Sequence, residues 1–171
     1  IANAAKAKGV RVLVCHVLRY TPFYRTVKSI IESGMIGEVV SVDQVEAIGD
    51  VHFSHSYVRG NWRKLSESSP MILAKSCHDL DLMCWLNNDS VPYKVVSLGN
   101  RSQFIKEKMP KDATEFCFDC PHERKCQYSA LRQYMDLKAM PFLVWDSFNK
   151  PYEEITDEEK IEFLQKDNYG K

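Results

Sequence analysis

Three clusters of side chains in this 171-residue sequence combine types and spacings that suit chemistry. In MILAKSCHDLDLMCWLN, Lys75, His78 and Asp79 stand at i, i+3 and i+4, which puts them on one face of a helix. A neutral imidazole there can take a proton from a hydroxyl, and a neighbouring ammonium favours the neutral ring and stabilises developing alkoxide charge. The spacing equally fits a Lys75–Asp79 surface pair beside a hydrogen-bonded histidine, a common and weak arrangement.

The second cluster, HFSHSYVRGNWRK, brings together His52, His55, Tyr57, Arg59, Asn61, Trp62 and Arg63. Its donors and aromatic faces suit a polyhydroxylated or anionic ligand. A solvated loop with one or two packed aromatics fits the same residues. Zinc on His52 and His55 lacks a visible third ligand. The third cluster, CFDCPHERKC, sets Cys117, Cys120 and Cys126 in a C-x2-C-x5-C pattern around His122. A structural metal such as zinc, reduced packing cysteines and a disulfide are all open at this point. Cys15, Cys77 and Cys84 sit in apolar segments and are expected in the core.

These side chains need elements to hold them. IANAAKAKG reads as a helix, and VRVLVC (10–15) as a buried parallel strand. Thr21 and Pro22 open a helix that Gly34 closes. Residues 38–49 alternate like a strand, 50–68 read as a loop, and 71–87 as one helix with the apolar stripe Leu73, Cys77, Leu80 and Cys84. A further strand is expected from Tyr93 to Phe104 and a helix from Tyr128 to Leu137. Another helix begins near Asp157, with Thr156 as N-cap and Glu159 as its capping-box partner. This pattern predicts an α+β layer domain preceded by the tail of an α/β unit, with a boundary near residues 16–22.

Composition narrows the function classes. Hydrophobic residues make up 44% and charged residues 27%, the mixture of an ordinary globular domain. Lys plus Arg and Asp plus Glu number 23 each, which removes the broad basic footprint of a dedicated nucleic-acid binder. No apolar run reaches the roughly 20 residues of a membrane span, and no secretory core follows the N-terminus, so a cytoplasmic location is expected. The helical start at Ile1 and the ending DNYGK lead us to expect further sequence at both ends. The seven glycines form no G-x-G-x-x-G or Walker pattern, so the chain by itself is not expected to hold a dinucleotide.

Taken in order, HVLRYTPFY, SGMIGEVVSV, HSYVRGNWR and SSPMILAKSCHDLDLMCWL resemble the glucose-fructose oxidoreductase, inositol dehydrogenase and rhizopine-catabolism family, Gfo/Idh/MocA. The resemblance runs from residue 1 to about residue 100. It implies a parent with an NAD- or NADP-binding Rossmann domain and an α+β substrate domain. Residues 1–17 would be the end of the former, its last helix and strand. Residues 18–171 would be part of the latter, an open, mainly antiparallel sheet with helices on one face, through which the protein forms a homo-oligomer.

The implied activity is hydride transfer between nicotinamide and a sugar or polyol, with no nucleic-acid or membrane partner. His78 matches the family's acid/base histidine. The usual aspartate four residues earlier is Ala74, so Lys75 is expected to take over part of its electrostatic role. His16, Arg19 and Tyr20 match the segment on the cofactor side, and Tyr57, Arg59, Trp62 and Arg63 would shape the substrate pocket. The family's glycine fingerprint and catalytic lysine have no counterpart here, so residues 1–171 alone are expected to be inactive. Two alternatives are an NAD-dependent glycosidase of the same family and a metal-stabilised, non-catalytic interaction module.

Overall fold

In the computed structural model, which describes residues 1–88 and 90–171, helical turns account for 49% of the chain and no strand occurs among the described residues. The expected α+β fold with an open antiparallel sheet, preceded by a Rossmann strand, is therefore corrected. Alternating apolar residues give a segment two faces, but a strand exists only through ladder hydrogen bonds to a second segment. Residues 10–15, 38–49 and 93–104 form no such ladder. Their apolar side chains consequently stay in contact with solvent: Leu13 is 87% exposed, Val40 93% and Leu98 94%.

The chain divides into two units. The first comprises Ile1–Glu46 and Lys75–Val95. Its alanine-rich α1 (Ala2–Lys8) ends as expected at Gly9, whose left-handed φ of 62° lets its N–H return to Ala5 and Lys6 carbonyls. Helix α2 (Pro22–Glu32) starts with Pro22 in its first turn and with the Thr21 hydroxyl accepting from Tyr24 N at 3.4 Å. Its buried residue is Lys28, whose ammonium donates to the Trp85 carbonyl and to Asn88 Oδ1 and sits 5.4 Å from the Trp85 ring centroid. These contacts anchor α2 to α3 (Cys77–Leu86).

The expected single helix over 71–87 is two pieces. A first turn, Met71–Ala74, is followed by a break at residues 75 and 76, and Ser76 becomes the N-cap of α3. Ser76 makes no side-chain capping bond there, and serine is a weaker helix former than Ala74 and Lys75 before it. The predicted apolar stripe does not form a core: Leu73, Leu80 and Cys84 are exposed, as is Cys15, and α3 buries Leu82 instead.

The second unit comprises Ala47–Ala74 and Val96–Lys171. Residues expected as a loop are wound into a helical turn, Asp50–Phe53, continuous with a π-helical turn, Ser54–Arg59. A second π-helical turn, Leu131–Asp136, lies within the stretch expected as a helix. The core gathers Ala130, Tyr134, Val144, Trp145, Ile155 and Leu164. Trp145 meets Phe163 edge-on at 5.7 Å and Tyr134 at 6.5 Å, a geometry that matches positive ring edges to negative faces. Helix α4 (Asp157–Leu164) opens with the expected capping box: Glu159 N donates to Thr156 Oγ1 at 3.2 Å and Thr156 N to Glu159 Oε2 at 2.9 Å.

Gly60 follows the first π-helical turn because nothing larger fits there. A Cβ at that position would lie 2.6 Å from the His55 carbonyl oxygen, a backbone atom that cannot swing away. Gly60→Ala is expected to destabilise this unit by about 1 to 3 kcal/mol through that overlap. A lowered denaturation midpoint, followed by tryptophan fluorescence, checks it; an unchanged midpoint would show the turn to be adaptable. No helix among the described residues is long and apolar enough to cross a membrane.

Candidate functional site

Because α3 starts at Cys77, His78 and Asp81 occupy its first turns three residues apart, which brings them to one face. Within the same unit the short turn Val17–Tyr20 presents Arg19. Its guanidinium grips the Asp81 carboxylate at both oxygens, Nε to Oδ2 at 2.7 Å and Nη2 to Oδ1 at 2.6 Å. Such a planar fork is the strong form of this pair, because two parallel N–H···O bonds fix its direction. His16, the residue that caps the turn, places Nε2 3.6 Å from Asp81 Oδ1, and its ring meets that of His78 edge-on at 6.1 Å.

The Arg19 hydrogen bond holds the Asp81 carboxyl below the usual carboxylate range, against the opposing effect of burial, and the charges of His16 and His78 act in the same direction. The same hydrogen bond raises Arg19 above its ordinary value. Asp81 is thus anionic beside two imidazoles. His78 Nδ1 is buried without a hydrogen-bond partner among the described residues, and so is Asp79 Oδ2. The other Asp79 oxygen accepts from Gln44 Nε2 at 3.2 Å. Lys75 lies in the break before α3 and pairs with Glu46 at 2.5 Å. A buried imidazole nitrogen next to a fixed carboxylate is equipped to take up or release a proton, since the carboxylate stabilises the imidazolium.

Over 128 residues the chain is 32% identical to "Putative oxidoreductase YteT" of Bacillus subtilis (strain 168), a match covering 72% of this chain. The chain spans 29% of that relative's length. This sequence is similar to a protein named as an oxidoreductase. That name states a reaction class and no cofactor or substrate. No family model matches the chain, and no solved structure gives a significant match.

The structure thus brings together His16, Arg19 and His78 from the sequence-derived set and leaves Tyr20 69% exposed. It adds Asp81, Gln44 and Glu46. Asp81 carried a readable signal, its i+3 spacing from His78, which the sequence reading passed over; Gln44 and Glu46 are remote in sequence and carried none.

Tyr57, Arg59, Trp62 and Arg63 belong to the second unit. Arg59 is buried, and its guanidinium is engaged by the fold: it donates to the Lys171 and Tyr128 carbonyls, to Gln133 Oε1 at 3.1 Å, and to Cys117 Sγ at 3.9 Å. Trp62 is 40% exposed with its ring 6.2 Å from that of Tyr57, and Arg63 reaches Glu67 Oε2 at 3.5 Å. His55 is a core residue. Its Nδ1 lies 3.2 Å from Tyr134 Oη and its ring stacks on Tyr169 at 5.1 Å. Burial, then the charges of His52 and Arg59, lower its pKa to about 4. Burial likewise raises Tyr134 to about 12.

The expected metal site at Cys117, Cys120 and Cys126 is not assembled. Among the described residues no group of three or more His, Cys, Asp or Glu side chains converges closely enough to hold a metal ion. Cys117 Sγ accepts from Ala130 N at 3.4 Å, and His122 Nε2 lies 2.8 Å from the Lys111 carbonyl. All six cysteines are free.

Proposed function

We propose that residues 1–171 form the proton-handling part of an NAD(P)-dependent oxidoreductase acting on a sugar, polyol or related hydroxyl compound. The observation that carries this reading is the buried, unpartnered Nδ1 of His78 in a unit where the Arg19–Asp81 pair supplies a fixed negative charge. The likeness to a protein named as an oxidoreductase supports the reaction class.

In this reading His78 takes the hydroxyl proton as the alcohol carbon is oxidised. Asp81, kept anionic by Arg19, stabilises the imidazolium that results, and His16 offers the next proton-accepting group. Lys75 contributes positive potential where alkoxide character develops. A bound nicotinamide supplies the hydride acceptor. His16, Arg19 and Tyr20 suit its nicotinamide end; the pyrophosphate needs a glycine-rich helix N-terminus, which this sequence lacks.

His78→Gln in the full-length protein is expected to lower kcat about a hundredfold with little change in KM, the size of a lost general base. The assay is NAD- and NADP-linked oxidation of a sugar and polyol panel. Undiminished turnover would remove His78 from the chemistry. Residues 1–171 alone are expected to give no turnover.

A further inference from the structure

The second unit contains a cavity of about 650 Å³ that plays no part in the proton-handling reading. Its residues divide by chemistry. One wall is apolar: the Phe104 and Tyr128 rings meet edge-on at 4.7 Å, and Met109 adds a polarisable side chain. The half-buried thiols of Cys117, Cys120 and Cys126 line it as well. Lys106, Lys108 and Lys125 supply its charge, and no Asp or Glu is among its lining residues. None of these three ammonium groups has an ion-pair partner among the described residues, whereas Lys171, also at the cavity, pairs with Glu115 at 2.6 Å.

An apolar wall and an unbalanced cationic edge are complementary to a molecule with one apolar body and one negative head. The body gains by leaving water, and the head is attracted by charges that nothing else neutralises. Ammonium groups act as point charges, so they accept a carboxylate or a phosphate without demanding one planar geometry. We propose that this cavity binds a small organic anion with an apolar body, and that its occupant covers the three thiols.

The probe is naphthalene-2-carboxylate, titrated calorimetrically into the full chain, with the neutral naphthalene-2-methanol as its uncharged counterpart and 2-naphthyl phosphate to compare head groups. The carboxylate or the phosphate is expected to bind at least tenfold more tightly than the alcohol. The triple substitution Lys106→Glu, Lys108→Glu and Lys125→Glu changes exposed side chains and should leave the helical circular dichroism intact while abolishing that preference.

In parallel, iodoacetamide alkylation mapped by mass spectrometry should slow at least fivefold at Cys117, Cys120 and Cys126 when an anion is bound. Cys15 and Cys84, exposed in the other unit, should react at an unchanged rate. Equal binding of alcohol and anions, retention of the preference in a folded triple variant, or equal protection of Cys15 and Cys84 would each overturn the proposal. Loss of turnover in His78→Gln has no bearing on these readouts, so the two readings fail separately.

Discussion

Arg59→Met is expected to lower the stability of the second unit by about 3 to 5 kcal/mol, a large fraction of the roughly 5 to 15 kcal/mol that holds a domain together. Arg59 is 6% exposed, and its guanidinium serves the carbonyls of Tyr128 and Lys171, the Gln133 amide oxygen and the Cys117 sulfur at once. Methionine fills similar space but donates nothing. The buried Gln133 amide oxygen and the half-buried Tyr128 carbonyl would then lose this donor, and each such loss costs about 1 to 3 kcal/mol. Arg59→Lys should recover little, because a single ammonium cannot reproduce a fork aimed at separated acceptors. Arg63→Met is the control: its Glu67 contact is at 3.5 Å on a surface pair worth under about 1 kcal/mol. Urea midpoints of the three variants decide the matter. If Arg59→Met and Arg63→Met shift alike, Arg59 does not organise the fold.

Acidification should destabilise the same unit before its carboxylates protonate. His55 has a folded-state pKa of about 4 against an ordinary value of 6.5, because it is buried between Tyr134 and Tyr169 and faces the charges of His52 and Arg59. Above pH 6.5 the ring is neutral in both states, and its burial carries no protonation penalty. As pH falls below that value the unfolded chain binds a proton that the folded chain refuses, so stability declines. The decline ends near pH 4, where the folded ring protonates too. The cumulative loss is about 3 kcal/mol, at about 1.4 kcal/mol per pH unit. The Arg19–Asp81 pair has the same sign in a lower window: its depressed carboxyl gives up stability only as pH drops below the ordinary value of 3.8. Denaturant midpoints at half-unit steps from pH 7.5 to pH 4.5 should therefore slope downward, and His55→Phe should flatten the slope. A wild-type profile that is already flat would mean His55 is not neutral and buried.

Helix ends were legible because they depend on neighbours in the chain. The Thr156–Glu159 capping box, the Thr21–Pro22 start of α2 and the left-handed Gly9 stop of α1 each follow from a few residues. The site was legible in part. His16, Arg19 and His78 were named, but no carboxylate was named with them, and Arg19 selects Asp81. Asp79 and Asp81 stand two residues apart, a turn of about 200° along a helix, so they occupy opposite charged faces.

The sheet shows the limit of local pattern. Val40, Val42 and Gln44 alternate as a strand should, yet pairing is a property of two segments, and alternation in one says nothing about a partner. Arg59 and His55 show the converse. Arg59 was expected to shape a substrate pocket and the segment to be a loop, whereas remote partners such as Tyr128, Gln133, Tyr134 and Tyr169 supply the hydrogen bonds and ring contacts that make the burial of both residues possible. The sequence alone determined the ends of α2 and α4 that carry local caps, since those depend on chemistry within a few residues. Tertiary structure alone decided which carboxylate stands beside His78 and which polar groups enter the core. It also kept three cysteines on one cavity from converging as metal ligands, because each of these outcomes is a contact between residues the chain keeps apart.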